Sequence, residues 1–258
     1  MDRPFPTRLS QDPIVESIFE LRFKTAPGIS ASDLLPGLLY SALKQDYPQL
    51  TNLPISQIPK DIRRTDPNLT YAPIIRFEGE QSAIMIGDSV CSVACRQPYI
   101  GWRQFKEKIV ELSELLKKSE IIVSIERFSL KYINLIQATD KSSGLEALDS
   151  SIKLGPYDLN TNSCTIRTEL TDGNIINVVN IVSSAKVSLP GGVNPLEGLL
   201  LDIDSIHTYN DISPSDSFWK SFHSQLDLVR AKEKEIFFSL LASATVEHYG
   251  PQYEEDSK

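Results

Sequence analysis

Hydrophobic and polar residues alternate most regularly in the middle of the chain, over residues 121–137. From Glu126 onward, Glu126, Phe128, Leu130, Tyr132, Asn134 and Ile136 share one face, and Arg127, Ser129, Lys131, Ile133 and Leu135 the other, with the period of two that a strand requires. This predicts a strand deep in a sheet. A second alternating run, 15–24, sets Val15, Phe19, Leu21 and Phe23 opposite mostly charged residues, the signature of a half-buried strand. Between 74 and 95, three apolar runs separated by Gly79-Glu80 and Gly87-Asp88 predict a hairpin or meander. Asp172-Gly173 between the runs 164–170 and 175–182 predicts a tight hairpin, and 199–209 reads as a further strand.

Steps of three and four mark the helices. Trp102, Phe105, Ile109, Leu112 and Leu116 form the apolar stripe of a helix lying on a sheet, with Arg103, Lys106, Glu107, Glu111 and Glu114 outward. Residues 30–33 offer caps for a helix carrying Leu35, Leu38, Leu39, Ala42 and Leu43, with Pro36 near its first turn. Ser213-Pro214-Ser215-Asp216 has the form of a helix start. The helix it opens, 214–242, draws its core face from Phe218, Phe222, Leu226, Val229, Ile236, Phe237, Leu240 and Leu241.

The remainder reads as connection. Residues 1–13 hold three prolines and predict an extended arm, and five prolines from Pro48 to Pro73 predict a long irregular passage. Residues 138–162 look like a polar link with a short helix over 144–150, 190–195 a loop, and 245–258 an acidic tail. The predicted class is α+β: antiparallel sheet or sheets backed by long amphipathic helices. Residues 1–137 and 138–258 each give strand, link, hairpin and long helix, which suggests two pseudo-duplicated halves, together able to form one compact domain.

Composition narrows this picture. With 258 residues, 41% of them hydrophobic, the chain can bury a core without disulfide or metal. A net charge of −8 argues against a nucleic-acid coat. The odd number of cysteines, Cys91, Cys95 and Cys164, predicts free thiols in a reducing compartment, hence a cytoplasmic protein. The first residues carry no leader pattern, and no apolar run approaches the roughly 20 residues that span a bilayer, so no membrane association is expected.

No phosphate loop, dinucleotide fingerprint, His-Glu-x-x-His or Gly-x-Ser-x-Gly motif is present, and no cofactor is predicted. Cys91 and Cys95 lie four extended residues apart, roughly 13 Å, too far to share one tetrahedral metal. Asp202 and Asp204 point the same way on a predicted strand and could hold a divalent cation, or else form the polar side of a half-exposed strand beside Leu199, Leu201 and Ile203. Glu126, Arg127 and Asn134 on the central strand, with Arg63, Arg64 and Arg76, are the candidate ligand or partner residues. His207, His223 and His248 show no ligand spacing.

Three stretches carry a resemblance: 13–23 (PIVESIFELRF), Tyr99-Ile100-Gly101-Trp102 with Phe105, and 126–134 (ERFSLKYIN). Together they resemble the ERxxLxYIN and YxGW blocks of a sporadically distributed, uncharacterised family of bacterial and archaeal proteins of about this length. Ser129 and Lys131 stand where that family's pattern has Gly and Arg. The resemblance implies no specific chemistry, and its patchy distribution points to mobile gene cassettes such as anti-phage defence or toxin–antitoxin systems. Core-forming stripes without a catalytic constellation predict a non-enzymatic protein that binds a partner protein or itself. The alternative is a metal-assisted enzyme acting on phosphate esters through Asp202 and Asp204, with Arg127 or Arg76 as anion clamp. A nucleotide or nucleic-acid sensor using Arg63, Arg64 and Tyr71 is disfavoured by the acidic charge.

Overall fold

The computed structural model describes residues 5–137, 144–159, 163–188 and 195–253. The first half carries β1 (Arg8–Leu9), β2 (Ile14–Thr25), α1 (Ala31–Leu43), β3 (Gln49–Asn52), α2 (Lys60–Thr65), β4 (Pro73–Glu78), β5 (Ser82–Gly87), β6 (Val90–Arg96), α3 (Trp102–Ser119) and β7 (Ile122–Ile136). The second carries β8 (Lys153–Leu154), β9 (Tyr157–Asp158), β10 (Thr165–Asp172), β11 (Ile175–Val187), β12 (Leu196–Ile212), α4 (Asp216–Leu240), α5 (Ser243–His248) and β13 (Pro251–Gln252). Nine strands form one antiparallel sheet in the order β10-β11-β12-β7-β2-β6-β5-β4-β3, while β1 pairs with β13 and β8 with β9. The class is α+β with a large antiparallel sheet, as the sequence predicts. Two duplicated halves are not evident: the first half supplies six strands of the large sheet and the second three.

β7 sits between β2 and β12 and pairs with both along most of its length. Its inner face is fully apolar in the middle: Phe128, Leu130 and Tyr132 are buried. Phe128 packs on Phe222 of α4, with ring centroids 5.4 Å apart, and Tyr132 packs on Phe105 of α3 at 6.2 Å. The face therefore meets two helices, α3 and α4. The register with β2 shifts at three points, one of which breaks the predicted alternation. Arg22 pairs with Arg127 and the next residue, Phe23, with Ile125, so Glu126 is an extra residue in a bulge. Ile125 consequently enters the core and Glu126 leaves the apolar face to accept a hydrogen bond from the Tyr71 hydroxyl at 2.7 Å.

The helices cover one side of the sheet. Leu35, Leu39 and Leu43 of α1, Phe105, Ile109, Leu112 and Leu116 of α3, and Phe218, Phe222, Leu226 and Val229 of α4 join Phe19, Leu21, Phe23 and Phe128 in one cluster. A second cluster gathers Phe237 and Phe238 of α4 with Leu199, Leu201, Ile203 and Ile136. α4 crosses from the first to the second, and Arg230 and Glu233 occupy the interval between them.

Several predicted connections are more ordered than expected. The proline-punctuated passage contains β3, a 3-10 turn over Pro54–Gln57 and α2, elements too short to show periodicity. The helix predicted over 144–150 is a 3-10 turn, Leu145–Ala147, and most of the 190–195 loop lies outside the described residues. The predicted tail contains α5 and β13; β13 pairs with β1 and so ties the C-terminal region to the arm. The predicted hairpin is present, with Asp172 opposite Ile175 and Gly173 at φ +59°, a conformation that glycine adopts without strain. Phe128→Ala empties a site bounded by Phe19, His207 and Phe222 and is expected to lower the unfolding free energy by about 3–5 kcal/mol, read from the urea midpoint.

Candidate functional site

The structure separates most of the residues that the sequence singles out. Arg63 is buried and donates through Nε to Asp88 at 2.9 Å, while Asp88 also accepts from Ser32 Oγ at 2.7 Å and from Ser30 Oγ. Arg64 is exposed and reaches only the Ile29 carbonyl, at 3.4 Å. On the sheet face away from the helices, Arg76 is ion-paired with Glu78, and Arg127 donates to Glu20 at 3.0 Å. Asp202 and Asp204 lie on that face too, with the Lys131 ammonium 3.6 Å and 3.8 Å from them. One oxygen of each carboxylate is buried without a hydrogen-bond partner, and burial raises the Asp204 pKa. Among the described residues no group of three or more His, Cys, Asp or Glu could hold a metal. A divalent cation at this pair would have to displace Lys131. Cys91 is buried, and burial pushes its thiol up to about 12, which makes it unreactive.

Asn134 alone of those candidates lines a cavity of about 600 Å³ at the seam between the two core clusters. Tyr132 and Asn134 of β7 line it, as do Tyr99 and Trp102 at the start of α3, Arg230, Glu233 and Phe237 of α4, and the arm around Arg8 to Ile14. Arm and C-terminal region are fastened together there: Thr7 N–H donates to Gln252 at 2.7 Å, Ser10 N–H to Gly250 at 2.8 Å, and Lys234 Nζ reaches the Thr7 carbonyl at 2.7 Å.

Arg230 is the centre of the site. Its guanidinium lies 4.1 Å above the Tyr132 ring and 5.9 Å from the Trp102 ring, and one N–H group donates to the buried carboxylate of Glu233. Aromatic faces are favourable neighbours for a partly desolvated cation. Burial opposes the Arg230 charge, but the neighbouring groups, the Glu233 carboxylate among them, outweigh it and its pKa rises, so the cation is permanent. Burial raises the pKa of Glu233 against the pull of Arg230, and that of Asp12 against Arg230 and Arg8. Burial also raises Tyr99 and Tyr132, whose hydroxyls lie 3.1 Å apart, so both remain neutral phenols able to donate. Gly101, the N-cap of α3, caps with no side chain, so partly positive backbone N–H groups begin beside Trp102.

No family model matches the chain, and no curated protein is similar to it. No helix among the described residues is long and apolar enough to cross a membrane.

The sequence reading missed Arg230 and Glu233 because charged residues on a long helix usually face water. A signal was present. Leu226, Val229 and Phe237 continue one stripe, and Glu233 falls on it four residues before Phe237, where an apolar residue is expected. Of the other lining residues, Asn134 is among the candidates predicted from sequence, and Tyr99, Trp102 and Tyr132 are not.

Arg230→Met leaves Glu233 buried without a counter-charge and is expected to cost about 3–5 kcal/mol in urea unfolding, while Arg230→Met/Glu233→Met recovers most of that loss. Asp88→Asn removes the partner of buried Arg63, with a similar expected loss at neutral pH. Burial raises the Asp88 pKa, but Arg63, Ser30 and Ser32 outweigh it and hold the folded value below 3.8. Its contribution is therefore full above that value and disappears as pH falls through the folded pKa. The wild-type advantage in urea midpoint should shrink correspondingly in acid, and a gap that persists unchanged would contradict the assignment.

Proposed function

We propose that the protein acts by binding, and that the ligand is a small organic carboxylate with an apolar body. The observation that carries this reading is Arg230: a permanent, partly buried cation with one N–H donor engaged by Glu233 and the remainder of its fork beside a cavity of ligand size. The cavity is lined by Arg8, Arg230 and Lys234 as well as by Asp12 and Glu233, so cationic donors for a carboxylate are at hand. The planar fork of Arg230 matches the two oxygens of a carboxylate. Trp102, Phe237 and Phe238 supply apolar surface for the rest of the ligand. No Cys or His lines the cavity, and its acid Glu233 is engaged by Arg230, an arrangement suited to holding a molecule.

Binding of a protein partner is a second reading of the same non-enzymatic class, favoured by the free edge strand β10.

Phenylacetate, indole-3-acetate and octanoate, tested by titration calorimetry beside their neutral amides and inorganic phosphate, provide the test. The carboxylates are expected to bind and the amides to fail. Arg230→Lys keeps a charge for Glu233 but removes the planar fork, and should weaken carboxylate binding at least about tenfold. Equal binding of amides and acids, or no binding of any carboxylate, overturns the proposal. Binding of phosphate alone reassigns the site to phosphate compounds.

A further inference from the structure

β10 is one edge of the nine-stranded sheet: among the described residues its strand partner is β11 alone. It is eight residues long, mostly exposed on both faces, and contains neither proline nor lysine, the residues that commonly block edge pairing. β3, at the opposite edge, has four residues. The Lys232–Asp172 ion pair at 2.8 Å and the bond from Asn177 Nδ2 to the Leu170 carbonyl at 3.2 Å hold the β10 edge in place.

We infer that β10 pairs antiparallel with β10 of a second copy of this chain, about a two-fold axis at Thr168, to join the two sheets. In that register Arg167 lies opposite Glu169 of the second copy, and Glu169 opposite its Arg167, so two opposite-charge pairs form on the face away from the helices. Within one chain these side chains already touch, 2.7 Å apart and more than half exposed, so pairing builds a four-charge cluster without turning either residue. On the helix face Ile166 comes opposite Leu170 twice, which covers a leucine that is 42% exposed in the single chain.

The charges select this register. An axis moved to Glu169 sets Glu169 against itself, and one moved to Arg167 sets Arg167 against itself. The inference is independent of the cavity, since the cavity lies beyond β11 and β12 on β7 and takes no residue from β10.

Light-scattering mass and sedimentation across a range of concentrations test it on the full chain. The wild type is expected to reach twice the chain mass. Arg167→Glu and Glu169→Arg should each raise the dimer dissociation constant at least about tenfold, because each converts both cross-strand pairs to like charges. Arg167→Glu/Glu169→Arg should restore the dimer. All three variants alter exposed side chains, and circular dichroism checks that each remains folded. A wild type that stays single at every concentration overturns the inference, as does a dimer indifferent to the single reversals or not restored by the double one.

Discussion

β7 is hydrogen-bonded along both edges, to β2 on one side and β12 on the other, and that double ladder fixes the position of everything else. A strand with two neighbours cannot slip by one residue without exchanging its buried and solvent faces along its length. Phe128 and Tyr132 are therefore committed to the helix side, where Phe222 and Phe105 meet them. The bulge at Glu126 is one of the places where the register yields, and it turns a carboxylate out of the core toward Tyr71.

The candidate site follows from how α4 crosses this frame. Its first turns pack with the Phe128 cluster and its last turns with the Leu201 cluster, and the seam between them is where apolar packing is interrupted. A guanidinium tolerates such a place because it stacks on rings and is less strongly hydrated than an ammonium. Glu233 offsets its charge without using all of its donors. Truncating either partner alone is the damaging change, because a buried charge left unpaired costs more than the pair itself contributes.

Much of the fold was legible in the sequence. The period of two in the central strand, the stripe from Phe105 to Leu116 and the Asp-Gly hairpin each follow from side-chain direction in strands and helices or from turn chemistry, and each is present. Elements of two to six residues, such as β1, β3, α2 and β13, carry too few residues to display a period. The bulge was hidden because alternation assumes that no residue is inserted. For the site, Asn134 alone was legible, as a polar residue on the apolar face of the central strand, and only the packing of α3 on β7 brings it to one cavity with Tyr99, Trp102 and Tyr132. Arg230 and Glu233 have their meaning from burial, which the local sequence expresses only as a break in an apolar stripe.

The central claim is that Arg230 receives the carboxylate of a small ligand. Nitrogen-15 NMR of the arginine side chains during titration with phenylacetate tests it most directly, the Arg230 Nε–H signal being assigned by its absence from the Arg230→Lys spectrum. The account predicts that this signal moves and saturates with the affinity measured by calorimetry. A signal that stays fixed while phenylacetate binds, or while other arginines respond, would contradict it.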